Sequence, residues 1–67
     1  MDYSNSKMKS LILEYIHSER DRKVLFLSLI NEISYEEIGY RVGLTSRQVG
    51  TIVRKGKEIV FRHYDDQ

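Results

Sequence analysis

Two helix-start signals stand eleven residues apart in this chain, with a glycine between them. The first is Ser34-Tyr35-Glu36-Glu37. It has the pattern of a capping box, in which the serine hydroxyl takes one orphan amide of the first turn and the glutamate reaches back to another. The second, Thr45-Ser46-Arg47-Gln48, repeats the same chemistry. Gly43 lies where a chain leaving a helix needs positive φ. These signals predict one helix over residues 34–42 and another starting at 45 or 46. The connection has room for only about three residues, which forces a sharp turn between the two helices.

The rest of the chain reads as helix by its apolar period. Met8, Leu11, Ile12, Tyr15 and Ile16 recur at helical spacing, with Ser4 or Ser6 as a cap, and predict a helix over 6–18. Val24, Leu25, Leu27, Ser28 and Ile30 predict a second over 20–31, capped by Ser18 or Asp21, with acids at its start where the helix dipole favours them. The last helix runs over 45–62. The expected fold is an all-α, four-helix compact domain covering residues 1–67. A helix-turn-helix occupies 34–55, and the helix over 6–18 is accessory. Ile38, Val42, Leu44, Val49, Ile52 and Val53 would close a small core against the second helix. At 67 residues with no cysteine, the chain lies near the lower size limit for folding without staples.

Charge is the next constraint. The formal net charge is only +1, but it is unevenly placed. Between positions 41 and 57 stand Arg41, Arg47, Arg54, Lys55 and Lys57, with no acid among them. Local potential governs encounter with a polyanion more than net charge does. The outward face of the last helix would carry Ser46, Arg47, Gly50, Thr51, Arg54 and Lys57. Small, polar and basic side chains suit insertion into a major groove. Arg47, in the first turn, can bridge guanine O6 and N7. Ser46, Gln48 and Thr51 can reach phosphates or base edges, although capping competes for Gln48. Arg54, Lys55, Lys57 and Arg41 suit phosphates, which supply affinity and salt dependence without sequence choice. Gly50 would let the helix backbone approach DNA, and Gly56, on the inner side, would let helix one pack closely.

Other classes find little support. Without cysteine there is neither a disulfide nor a thiolate metal site. His17 and His63 share no ligand spacing. No phosphate loop, nucleophile motif or cofactor motif is present, so the chain does not read as an enzyme. Apolar runs are too short for a membrane span, and residues 1–10 are polar and unlike a signal peptide. A cytoplasmic location follows as the expectation. Phe26, Phe61, Tyr3, Tyr40 and Tyr64 are read two ways, as an exposed aromatic cluster marking a protein interface or as core beneath helix one.

Three blocks carry a resemblance. They are Asp21-Arg22-Lys23-Val24-Leu25, then Ile33-Ser34-Tyr35-Glu36-Glu37-Ile38-Gly39, then Val42-Gly43-Leu44-Thr45-Ser46-Arg47-Gln48-Val49. Over residues 19–62 the chain resembles region four of bacterial sigma factors, the related LuxR-type output domains and small phage or prophage transcription regulators. The likeness departs at Phe26, at Asn31-Glu32 in place of a glycine turn, and at Ile52. It implies a transcriptional regulator that reads double-stranded DNA with the helix over 45–62. A single motif covers few base pairs, so a homodimer or a tether to RNA polymerase would complete the site. Helix one and the tail over 61–64 are where a dimer contact is expected. The competing reading is a protein-interaction module that binds RNA polymerase or another regulator without reading DNA.

Overall fold

The computed structural model describes residues 4–65. They form four α-helices and no strand: α1 Asn5–Tyr15, α2 Glu19–Leu25, α3 Tyr35–Val42 and α4 Ser46–Tyr64. A π-helical turn, Phe26–Ile30, extends α2.

Ser4 starts α1 by accepting the Lys7 amide. The helix stops at Tyr15, short of the expected 18, because Ile16 turns extended and buries its side chain. The freed carbonyls are taken by Arg22, whose guanidinium donates to Leu13 O at 2.8 Å and also to Ile16 O. A cation is favoured at a helix C-terminus, so one side chain both caps α1 and fixes α2 beside it. Ser18 then caps α2 through the Asp21 amide.

The expected regular helix over 20–31 gives way at Phe26. The Asn31 amide bonds Phe26 O at 3.1 Å, a five-residue span, and the Ile33 amide bonds Leu27 O at 2.9 Å. The wider turn moves the chain reversal on by one position. Where the resemblance departs from a glycine turn, Glu32, with φ 56°, occupies the left-handed region, and Asn31 stays at φ −92°.

Ser34 caps α3 through the Glu37 amide at 3.2 Å. The expected box is only half made, because the Glu37 carboxylate turns to Arg41 at 3.0 Å. Gly43 ends α3 at φ 77°, and the amides of Gly43 and Leu44 both bond Gly39 O. Gly39 is where the turn folds back on α3: a Cβ there would lie 2.3 Å from Leu44 O. The second box is complete. Thr45 Oγ1 accepts the Gln48 amide at 3.1 Å, and Gln48 Oε1 accepts the Thr45 amide at 2.9 Å.

The long helix α4 is the strut against which α1, α2 and α3 all pack. Val49, Val53, Gly56 and Val60 form its buried stripe. They meet Leu11 and Ile12 of α1, Val24 and Leu25 of α2 and Ile38 of α3 in one continuous core. Each such aliphatic contributes roughly 1.5–3 kcal/mol when fully buried. Gly56 makes a close approach, but to α2 and not to helix one as expected: its Cβ position lies 2.5 Å from a Leu25 methyl.

The aromatic residues divide. Phe26 and Phe61 are half-buried against the core. Tyr15 stacks on His63 with centroids 3.8 Å apart. The Tyr64 hydroxyl accepts the Ser4 amide at 2.8 Å, and the Lys7 ammonium sits 4.2 Å from the Tyr64 ring centroid. The tail where a dimer contact was expected is therefore engaged by α1 and its cap. Among the described members of the group, Tyr40 alone is open, at 87% exposure. Tyr3 lies outside the described residues. Among the described residues no helix is long and apolar enough to cross a membrane.

Candidate nucleic-acid interface

The three-residue turn 43–45 presents the first turns of α4 to solvent, with their back pinned by Val49 and Val53. At 3.6 residues per turn, positions 47, 51, 54 and 58 form the stripe opposite the buried one. Arg47, Thr51 and Arg54 are exposed there, and Lys55 is exposed beside them. Lys57 lies on the flank toward α3, and Gln48 and Ile52 on the flank toward α2. Glu58 ends the acid-free stretch and pairs with Arg62 at 3.8 Å. The basic surface therefore belongs to the N-terminal part of α4.

Among the described residues, Arg47, Arg54, Lys55 and Lys57 form no ion pair or side-chain hydrogen bond. Their charge is uncompensated among the described residues. Arg41 differs. It is bound to Glu37 at 3.0 Å, with both side chains about half exposed (49% and 50%). An exposed pair one helical turn apart is worth roughly 0.3–0.5 kcal/mol, so an incoming phosphate could displace it at small cost.

The polar positions are more restricted than the sequence implies. Gln48 is held in the capping box by its carbonyl oxygen, which leaves its amide NH2 to donate outward. Thr51 Oγ1 donates to Arg47 O at 3.2 Å, so outward it offers acceptor lone pairs and its methyl. Those suit a base-edge amino group or a thymine methyl better than a phosphate. Ser46 is exposed at the first position of α4.

Gly50 is half-buried and does not face open solvent. The Tyr35 ring lies over it, 3.5 Å from where a Cβ would stand. Two groups missed in the sequence join the surface here. Tyr35, 42% exposed, sits at the start of α3 beside Arg54, Lys57 and Phe61. Its spacing from Ile38 and Val42 fits a core position, so periodicity alone cannot find it. Arg20 of α2 reaches the other flank and lines a shallow cavity with Leu44, Gln48, Thr51 and Ile52. Arg20 already contacts Asp21 at 3.1 Å. It had no sequence signal, because only the fold brings α2 beside the start of α4.

Among the described residues, no group of three or more His, Asp or Glu could hold a metal ion. No known family, curated protein or solved structure matches this chain significantly.

Proposed function

We propose that the chain is a sequence-specific, double-stranded DNA-binding transcriptional regulator that inserts the N-terminal half of α4 into the major groove. The observation that carries this is the outward face of α4. Arg47, Arg54 and Lys55 stand there, with Lys57 on its flank, without anionic partners among the described residues, on a helix fixed by a complete capping box and a buried valine stripe. Arg47 reads a guanine, Thr51 contacts a neighbouring base edge, Gln48 contacts a base edge or a phosphate, and Arg54, Lys55, Lys57 and Arg41 hold the backbone. On this reading the α3–turn–α4 unit is a helix-turn-helix of the sigma region four and LuxR-type kind. The site is completed by a second copy or by RNA polymerase, in the cytoplasm.

The test is selection of duplexes from a random-sequence pool, followed by binding of the selected duplex across a salt series. A consensus and a steep loss of affinity with salt support the reading. No enrichment, with no binding even at low salt, contradicts it.

One observation favours the protein-interaction alternative. Phe26, Leu27, Leu29, Ile30 and Ile33 are all half-buried, and together they leave an incompletely covered apolar surface around the π turn. Such a surface fits a protein contact and is compatible with DNA binding by α4.

A further inference from the structure

The notch between the start of α3 and the middle of α4 is not accounted for by groove reading. Tyr35, Arg54, Lys57, Glu58 and Phe61 line it, around an open space of about 570 Å³. Its walls are two aromatic rings and its rim carries two cations. Neither Arg54 nor Lys57 has an anionic partner among the described residues. Glu58, the one acid present, has its carboxylate 3.8 Å from Arg62. The Tyr35 ring is seated on Gly50 and is 42% exposed, while no hydrogen bond engages its hydroxyl.

We infer that this notch is the seat of one DNA backbone phosphate and its sugar, with the Tyr35 hydroxyl donating to a phosphate oxygen between Arg54 and Lys57. The inference rests on the proposed function and adds a residue that the charge pattern does not reveal. Two cations against the one Glu58 carboxylate leave the notch net positive, which favours an anionic ligand. It must also present an apolar face, because Tyr35 and Phe61 form the walls. A deoxyribose-phosphate unit has both properties. The notch lies on the α3 flank of the same stripe that carries Arg47 and Thr51, so a strand whose bases meet those residues would run its backbone past this flank. The contact fixes register and carries no sequence information of its own.

The full chain and its selected duplex test this, with Tyr35→Phe, Lys57→Gln and the double variant measured across a salt series. Tyr40→Phe, on the same helix and fully outside the notch, is the control. The inference expects Tyr35→Phe to lose about tenfold in affinity, as for a hydrogen bond to a charged group. The salt slope should not change, because no cation is lost. Lys57→Gln should lower affinity and reduce the slope by about 0.9. The double variant should lose less than the product of the two, since both groups hold one phosphate. Wild-type affinity in Tyr35→Phe, or strictly multiplicative losses, overturns the notch while leaving groove reading intact. Absence of binding by the wild-type chain overturns both.

Discussion

Two helical glycines should respond to the same substitution with opposite signs. Gly39→Ala places a methyl 2.3 Å from the Leu44 carbonyl oxygen, where real Cβ atoms essentially never come within 3.0 Å. The obstacle is backbone. It belongs to the turn whose Leu44 amide bonds Gly39 O at 2.8 Å, so no side chain can rotate away. Replacing a helical glycine by alanine is worth roughly 0.5–1 kcal/mol in stability. Overpacking costs about 1–3 kcal/mol, and a rigid obstacle belongs in the upper part of that range. The expected net is a loss of about 1–2 kcal/mol. At Gly50 the nearest atom to the new methyl is a Tyr35 ring carbon at 3.5 Å, an ordinary contact. There the propensity gain should survive, giving a gain of about 0.5–1 kcal/mol. Urea unfolding followed by circular dichroism at 222 nm measures both, with the slope of each transition checked against wild type. In melting temperature, each kcal/mol corresponds to roughly 4–8 °C for a chain of this size. If Gly39→Ala is as stable as wild type, or if both variants shift the same way, the close packing of the turn on α3 is wrong.

Three further outcomes are expected. Glu32→Gly relieves a left-handed residue whose conformation costs roughly 1–2 kcal/mol, offset by the entropy of the added glycine. A net gain of several tenths of a kcal/mol in urea unfolding is expected, and a clear loss would contradict the φ of 56°. Thr45→Ala removes the hydroxyl that accepts the Gln48 amide, and should cost about 1 kcal/mol. Amide exchange should accelerate first at positions 46–49, and uniform acceleration along α4 would argue against a local cap. Arg47→Gln should weaken the selected duplex by about 1–3 kcal/mol and relax preference at a single base position. A loss spread evenly over all sequences would make Arg47 a phosphate contact instead.

The helix order and the 43–45 turn are legible in the sequence because their signals are local. Ser34, Gly43 and Thr45 each satisfy backbone groups within a few residues, so pattern and structure agree there. The first helix is misjudged at its end because its stop signal is not local: Arg22, from the next helix, takes the carbonyls that release the chain at Ile16. The π turn leaves no mark on a hydrophobic period, and the left-handed Glu32 that follows it carries no glycine or asparagine signal. The site divides the same way. The basic stripe of α4 is visible as a run of charge without acids. Gln48 is legible as a cap as well as a DNA contact, and the capping box is made, whereas Arg41 is assigned to DNA by residue type and has an intrachain partner that only coordinates reveal. Gly50, Tyr35 and Arg20 depend on how α2 and α3 lie against α4, information that no single helix carries.

The central claim is that the first turns of α4 enter a DNA groove. Its most direct measurement is a titration of isotope-labelled chain with the selected duplex, followed by amide shifts at low and at raised salt. Shifts should concentrate over residues 45–57 and at Tyr35, and fade as salt rises. Shifts confined to the half-buried apolar residues around 26–33, or none at low salt, would contradict it.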